Sequence, residues 1–273
     1  MAVRGMDGFR EFFKNDRDSF AVIGGCACSE WCGEEEVEFR STQDIDMVLL
    51  LETKQERFFQ HFWEYIQRGG YKLCKRENGS SVLFRFTKPA DTVNFPKQIE
   101  LLTGIENIAV PSEVGIIHLK PEEEEYSLSA ILMQPEYYDL VKASRIISSF
   151  GLPVVRKDVL PLLKVKAHLN LLLEKQDGRF VSDHNLTKHR NDVFHLSYLL
   201  RGRYSDDLSP TIREDLENFL KMYSPDNSEW ESIRSHLAEF GLPLRSPAEL
   251  IQRLREYYFH LRGDADNDSG VDA

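Results

Sequence analysis

The sequence predicts an α+β fold, in which a mixed β-sheet flanked by helices is followed by a helical C-terminal domain. Short apolar runs with strand-like alternation fill the first half of the chain, and glycine or proline clusters separate them. Apolar residues at helical spacing fill the second half. We therefore predict a first domain over residues 1–133, a helical domain over 134–262 and a disordered acidic tail over 263–273.

Helices and strands alternate in the first half. Phe9, Phe12 and Phe13 lie on one side of a short amphipathic helix, and an apolar run ending at Ile23 forms the first strand. The predicted helices span residues 6–15, 26–32 and 53–68. The predicted strands span residues 20–23, 44–52, 71–75, 82–86, 97–103, 114–119 and 126–132.

The second half is predicted to be helical throughout. Its helices span residues 135–149, 160–173, 186–201, 211–222, 228–240 and 247–262, and Gly151 and Pro153 close the first of them. Residues 263–273 are small and acidic, so they have little apolar surface to bury and we expect them to be disordered.

Charge limits the partners of this chain. Its 45 acidic and 34 basic residues give a net charge of −11, which argues against broad, non-specific binding of nucleic acid. The densest basic region consists of Lys164, Lys166, Lys175, Arg179, Lys188 and Arg190. This region would hold an RNA end or form ordinary solvated helix surfaces. Because no apolar run approaches the ~18 residues of a membrane helix and the N-terminus lacks a signal-peptide core, we expect a cytoplasmic protein with no membrane partner.

The four cysteines lack the usual spacing of a metal site. Cys26, Cys28 and Cys32 follow the pattern Cys-x-Cys-x₃-Cys, without the Cys-x₂-Cys pairs of structural zinc sites, and Cys74 stands apart. A zinc site is the alternative. We expect reduced thiols that pack as small apolar side chains.

Two carboxylates open the second predicted strand. Side chains alternate along a strand, so Asp44 and Asp46 point to one face while Ile45 points into the core. Neighbouring carboxylates repel each other, and a divalent cation would relieve that repulsion. Oxygen ligands of this kind suit Mg²⁺ or Mn²⁺, with phosphate oxygens completing the coordination. The alternative is a turn or a solvated sheet edge, the usual context of a lone Asp-x-Asp.

A glycine pair precedes these carboxylates. Gly24 and Gly25 follow the first strand, where glycine lets the backbone approach a ligand closely and turn into a helix. The N–H groups at a helix start can bind phosphate. A phosphate site and a carboxylate pair on neighbouring strands are what metal-assisted nucleotidyl transfer requires.

A third carboxylate lies in the middle of a later apolar strand. Alternation over residues 97–103 places Ile99 and Leu101 on one face and Glu100 on the other. The alternative is an edge strand on which Glu100 faces water.

Residues 20–51 resemble the nucleotidyltransferase superfamily with the DNA polymerase β-like fold, whose signature is an apolar strand, Gly-Gly or Gly-Ser, a spacer and Asp-x-Asp. Within it, the chain is most similar to the AbiEii-type nucleotidyltransferase toxins of type IV toxin–antitoxin systems. Their Arg-x-Thr-x-Asp-Ile-Asp pattern is reproduced by Arg40, Thr42, Asp44, Ile45 and Asp46. The similarity covers the first half well and parts of the second half, and it fades after about residue 200.

The resemblance implies a nucleotidyltransferase-type sheet and a set of site residues. The implied metal ligands are Asp44, Asp46 and Glu100. The implied nucleotide-binding residues are Gly24, Gly25, Ser29, Arg40 and Lys164.

Two helices of the second half extend the resemblance. Residues 163–169 and 188–200 are similar to the family's consecutive helices, so that Lys164 falls on its lysine and Asp192 on its aspartate. The sequence departs from the family at Asn191, where Lys or Arg is usual, and at His195, where Asp is frequent.

Lys164 and Asp192 each have an expected chemical role. A lysine near the triphosphate would neutralise the charge that develops on the phosphoryl oxygens and on the leaving pyrophosphate. Asp192 would orient Lys164 or accept a proton from the acceptor. The alternative for both residues is a surface ion pair between adjacent helices.

We therefore expect an ATP- or other NTP-binding magnesium enzyme that transfers a nucleoside monophosphate to an acceptor and releases pyrophosphate. The resemblance favours tRNA, another RNA end or a protein side chain as the acceptor, and a toxin role implies a cognate antitoxin. Two alternatives stay open. One is a small-molecule nucleotidyltransferase of the antibiotic-modifying kind, since an acidic cleft attracts amines. The other is a catalytically silent member that binds nucleotide without turnover.

Overall fold

A computed structural model describes residues 4–50, 55–75, 83–102, 112–118 and 134–259. The strands in these ranges join in one mixed sheet with the order β6-β3-β4-β5-β2-β1-β8-β7. They are β1 (Phe20–Ile23), β2 (Asp44–Leu49), β3 (Lys72–Lys75), β4 (Leu83–Thr87), β5 (Gln98–Leu102), β6 (Gly115–His118), β7 (Arg145–Ile147) and β8 (Pro153–Val155). The two strands with the predicted carboxylates, β2 and β5, are therefore central and adjacent.

Helices cover much of the rest of the described chain. They are α1 (Met6–Phe12), α2 (Gly24–Glu34), α3 (Gln55–Arg68), α4 (Pro135–Ala143), α5 (Leu160–Gln176), α6 (Asp183–Leu196), α7 (Pro210–Met222), α8 (Trp230–Glu239) and α9 (Pro247–Tyr258), with a 3₁₀ turn at Ser197–Leu199. Ser182, Ser209 and Ser246 cap α6, α7 and α9, each accepting a hydrogen bond from a backbone N–H in the first turn. In the described ranges, no helix is both long and apolar enough to cross a membrane.

The core forms on the central strands. Aromatic rings from α1, β1 and α3 pack together, with Phe9, Phe13, Phe20, Phe58 and Phe62 almost fully buried. Helix α2 contacts β1, β2 and α5, and α5 packs in turn along α6. The start of α2 is therefore enclosed between the sheet and the helices of the second half.

The α+β class and the mixed sheet are confirmed, and the observed elements follow most of the predicted ones closely. The helix over 135–149 is wrong in its second half, because α4 ends at Ala143 and β7 begins at Arg145. The β-branched residues Ile146 and Ile147 favour a strand, and Gly151, at a φ of 86°, lets the chain turn back into β8. The strand over 126–132 and the tail over 263–273 lie outside the described residues.

The boundary between residues 133 and 134 stays a prediction. Strand β8, from the half predicted to be helical, pairs in parallel with β1 through Val22 and Val154, and β7 pairs with β8. The sheet thus crosses the proposed boundary. The last two strands cover the side of β1 that β2 leaves open.

Candidate active site

Strand register brings the predicted acidic residues together. β2 and β5 run in parallel, with Asp46 opposite Glu100 and Asp44 opposite Gln98. β5 lies between β2 and β4, so the interpretation of Glu100 as an edge residue facing water is wrong. Asp46 is only 8% exposed and Glu100 only 5%. We call Asp44, Asp46 and Glu100 the strand carboxylates.

Asp46 is a buried carboxylate without a compensating partner. Burial, and then the carboxylates of Glu100 and Asp44, raise the pKa of Asp46 to about 7, although Lys164 and Lys188 act to lower it. Among the described residues, none donates a hydrogen bond to the Asp46 carboxylate or forms an ion pair with it. A bound cation would supply the charge that this carboxylate lacks.

Glu100, in contrast, is held by neighbouring side chains. Arg85 Nε donates to Glu100 Oε1 at 2.7 Å, and Gln98 Nε2 donates to the same oxygen at 2.9 Å. Within the described ranges, no three His, Cys, Asp or Glu side chains stand close enough together to form a ready-made metal cluster. The strand carboxylates are therefore neighbours in the sheet, but Glu100 is ion-paired with Arg85.

The glycine pair makes room for residues of the β2 region. Gly24 has a φ of +68°, and a Cβ at this position would lie 1.9 Å from Asp46 Oδ2. A Cβ on Gly25 would lie 2.8 Å from Thr42 Oγ1. Both glycines begin α2, whereas the sequence predicted a loop at this point. They allow Asp46 and Thr42 to pack directly against the start of this helix.

The start of α2 also suits an anion. Its N-cap residue, Ile23, provides no side-chain hydrogen bond, and its first turn contains no acidic residue. No acidic side chain in the first turn of α2 therefore offsets the positive end of the helix dipole. Gly24 and Gly25 line the cleft that contains the strand carboxylates.

Asp192 lies at the centre of a second charged group, which we call the Asp192 cluster, formed with Arg40 and Lys164. Arg40 Nε and Nη2 donate to Oδ1 and Oδ2 of Asp192 at 2.9 and 2.7 Å, and Lys164 Nζ lies 2.8 Å from Oδ2. Asp192 is fully buried. Burial acts to raise its pKa, but Lys164 and Arg40 outweigh that effect and hold the pKa far below its usual range.

This geometry bears on the roles expected for Asp192. The ion pair between Lys164 and Asp192 is present, but it is not at the surface, since Lys164 is 4% exposed and Asp192 is fully buried. A carboxyl group with so low a pKa is a poor proton acceptor. Asp192 contacts Arg40 and Lys164, which both line the cleft, and its role in orienting Lys164 stays a prediction.

The cleft wall contains further residues that the sequence did not single out. They are Ser41, Thr42, Gln43, Arg85, Lys97, Gln98, His184, Lys188 and His189. The signal for Arg85 was present, because it is a charge between Phe84 and Phe86 on a strand beside that of Glu100. Arg40, Arg85, Lys97, Lys164 and Lys188 outnumber the three strand carboxylates, so the cleft is cationic although the chain is acidic.

His189 is a neutral side chain in the same wall. It is 4% exposed, and burial together with Lys164 and Lys188 holds its pKa well below the usual value. Among the described residues, no group is hydrogen-bonded to its Nδ1.

Ser29 does not lie in the cleft. It lines a neighbouring pocket with Phe39, Phe240 and the acidic residues Glu36, Glu38 and Glu239. Arg40 and Ser41 line both the cleft and this acidic pocket, which therefore adjoin. Ser29 was assigned by its position in the glycine-rich stretch, and the helical turn starting at Gly24 directs it elsewhere.

The predicted basic region is partly an internal network. Lys166 pairs with Asp215 at 2.9 Å, and Arg190 contacts Glu229 and Ser232. Lys166 and Arg190 are 6% and 3% exposed. Lys175, in contrast, pairs with Asp183 at 2.8 Å on the surface, and the contact of this region with an RNA end stays a prediction.

The cysteines lie deep in the fold. Cys26, Cys28 and Cys32 are buried in α2, and burial is the main cause that raises the pKa of each, to about 12 for Cys28. All four thiols are free. Cys26, Cys28 and Cys32 therefore pack as neutral, small side chains within α2.

Comparison of the chain with protein-family models, with curated proteins and with solved structures finds no match.

Proposed function

We propose that this chain is a metal-dependent nucleotidyltransferase that moves a nucleoside monophosphate from an NTP to an acceptor and releases pyrophosphate. The observation that carries the proposal is Asp46, a buried carboxylate beside Asp44 and Glu100 that no described residue neutralises, in a cleft otherwise rich in cations. A buried carboxylate that lacks a counter-ion, in a cleft whose wall carries several basic side chains, is complementary to a metal–triphosphate complex.

The donor set fits a hard divalent cation. Asp44 and Asp46 present oxygen ligands from one face of β2, and this chemistry suits Mg²⁺ or Mn²⁺. Glu100 lies opposite Asp46 and would join them after leaving Arg85. When bound, the metal would polarise the reacting phosphoryl group and favour the deprotonated acceptor.

The chain's own groups would bind and orient the phosphates. The first N–H groups of α2 stand beside Asp46, and Arg40 and Lys164 are fixed by Asp192. Fixed cations of this kind stabilise the charge on the phosphoryl oxygens and on the departing pyrophosphate without reorganising. Lys188 and His189 line the same cleft and extend the surface available to the nucleotide.

The test is label transfer from each α-labelled NTP with Mg²⁺ and a whole-cell extract containing RNA and protein. Wild type should label one acceptor class, and Asp46→Asn should reduce the rate by at least about 100-fold through loss of a metal ligand. Asp18→Asn is the matched control, since this exposed carboxylate is paired only with Arg145 among the described residues. Equal transfer by wild type and Asp46→Asn would falsify the proposal.

RNA ends or protein side chains are the acceptors that the family resemblance favours, with this chain as the toxin of a type IV pair and a cognate antitoxin as its partner. In that case, expression of wild type should arrest growth, and Asp46→Asn should restore it. Label in the RNA or protein fraction would identify the acceptor class. Nucleotide binding without transfer to any fraction would identify a catalytically silent member.

The acidic pocket supports a second candidate, a small-molecule nucleotidyltransferase with a cationic acceptor. Glu36, Glu38 and Glu239 surround a pocket of about 580 Å³, a usual size for a small-ligand site. No basic residue in the described ranges forms an ion pair with these three carboxylates. The rings of Phe39 and Phe240 add faces that attract organic cations.

The two acceptor classes respond differently to the same variant. With an aminoglycoside as the acceptor, the combined substitution Glu36→Gln, Glu38→Gln and Glu239→Gln should raise the acceptor KM at least about tenfold and leave the NTP KM unchanged. With an RNA acceptor, removing these negative charges should leave the acceptor KM unchanged or lower it. Absence of label on the aminoglycoside would exclude the second candidate.

A further inference from the structure

We propose that Arg85 is an internal counter-ion that keeps Glu100 away from metal until a nucleotide arrives. This inference rests on the proposed function and concerns the order in which the site assembles. In the nucleotide-free protein, the ion pair with Arg85 keeps Glu100 from joining Asp46 in binding a metal. The triphosphate then attracts Arg85, and Glu100 turns to the metal.

Register places the three groups in a row across the sheet. Arg85 on β4 is directly opposite Glu100 on β5, and Glu100 is directly opposite Asp46 on β2. All three line the cleft. Glu100 can therefore reach either neighbour by a side-chain rotation, without movement of the strands.

The bond between Arg85 and Glu100 competes directly with metal binding. The side chains are 9% and 7% exposed, and their N–O distance is 2.7 Å, so solvent screens the pair only weakly. Gln98 donates to the same Glu100 oxygen and helps to hold this orientation. An arginine keeps its charge at any physiological pH, so the competition does not depend on protonation.

A triphosphate changes that balance because it offers Arg85 a second anionic partner in the same cleft. Guanidinium groups bind phosphate with two parallel hydrogen bonds, as they bind carboxylate. Release of Glu100 adds a third carboxylate to the metal site beside Asp46. Metal and nucleotide therefore bind cooperatively, each strengthening the other, and a bare metal ion binds weakly.

The experiment measures Mn²⁺ affinity by electron paramagnetic resonance of free Mn²⁺, with and without a non-hydrolysable NTP analogue. Wild type should bind Mn²⁺ at least about tenfold more tightly with the analogue than without it. Arg85→Gln should bind Mn²⁺ at least about tenfold more tightly than wild type in the absence of nucleotide, because Glu100 is released. Lys97→Gln is the charge-matched control. It removes an exposed cation of the same cleft, so it should change the nucleotide-free affinity by less than about threefold.

Glu100→Gln provides a second variant that keeps the same shape. It should leave the nucleotide-free Mn²⁺ affinity within about threefold of wild type and weaken the affinity at least about tenfold in the presence of the analogue.

If Glu100→Gln weakens Mn²⁺ binding equally in both conditions, Glu100 is a ligand throughout and the counter-ion role of Arg85 is wrong. If Arg85→Gln is folded and binds Mn²⁺ no more tightly than wild type, the inference also fails, while the proposed function stands. If wild type binds no Mn²⁺ even with the analogue, the proposed function fails and the inference fails with it.

Discussion

The strand carboxylates and the Asp192 cluster are two groups of charge that both contribute side chains to one cleft. In the first, burial and the neighbouring carboxylates outweigh the effect of Lys164 and Lys188, and the pKa of Asp46 is raised to about 7. In the second, Asp192 is paired with both Arg40 and Lys164, and its pKa is held far below the usual range. Burial alone therefore does not indicate a function. A buried charge with its counter-ions in place is compensated within the fold, whereas a buried charge without them is a candidate for binding a ligand.

Disrupting the Asp192 cluster should have the largest effect on stability. Asp192→Asn leaves Arg40 and Lys164 buried without their shared anion, and we expect it to lower the free energy of unfolding by about 3–5 kcal/mol. Urea denaturation measures this change. Asp183→Asn removes an exposed carboxylate that pairs with Lys175, and we expect little change in stability. Similar losses for the two variants would mean that the Asp192 cluster is not stabilised by its charges.

Filling the space beside Asp46 with a side chain tests how tightly the strand carboxylates are packed. Gly24→Ala places a Cβ 1.9 Å from Asp46 Oδ2 at a positive φ, and we expect a loss of about 3 kcal/mol in stability together with loss of nucleotidyl transfer. Gly178→Ala is the control. Its φ is +79° with no atom within 4 Å of the added Cβ, so only the backbone strain of about 1 kcal/mol remains. Thermal unfolding of both variants separates the contact from the strain.

Neutralising Asp46 should stabilise the metal-free protein, the opposite of the result for Asp192. Its folded-state pKa of about 7 lies above the unfolded value of 3.8, so the charged carboxylate begins to destabilise the fold above pH 4 and does so fully above pH 7. In EDTA, Asp46→Asn and wild type should be equally stable at pH 4. The variant should be about 4 kcal/mol more stable at pH 8. Unfolding curves at both values check the sign, and a constant difference across this range would contradict it.

The smallest expected effect concerns the geometry of the Asp192 cluster rather than its charge. Arg40→Lys keeps the cation but loses the two-point contact with Asp192, which we expect to cost about 1 kcal/mol. Because Arg40 lines the cleft, the KM for NTP should rise several-fold as well. Arg245→Lys, whose side chain lies over Tyr198, is the control and should leave that KM unchanged. Steady-state kinetics with varied NTP distinguish the two variants.

The part of the site that sequence could predict is the part set by local rules. Alternation along a strand fixes Asp44 and Asp46 on one face, and the same rule isolates Glu100 from Ile99 and Leu101. These three positions did come together. The metal and nucleotide roles assigned to them stay predictions.

The rest of the site depends on pairing between distant segments. The contact of Arg85 with Glu100 requires the register of β4 on β5, and that of Arg40 with Asp192 joins residues 152 positions apart. Neither register nor helix docking can be read from one sequence without knowing which segments are neighbours. The misplacement of Ser29 has a local cause instead. Helix α2 starts two residues earlier than predicted, and the Ser29 side chain lines the acidic pocket.

The pairing of β8 with β1 has a consequence for how the chain emerges from the ribosome. Until residues 153–155 have been synthesised, β1 presents an open edge in the nascent chain, and such edges are prone to pair with other chains. Arg40 likewise has to wait for Asp192 before it acquires its fixed orientation. The cleft is therefore assembled late in synthesis, and a ribosome-bound or prematurely terminated first half carries the Asp-x-Asp motif without the cations that the second half supplies.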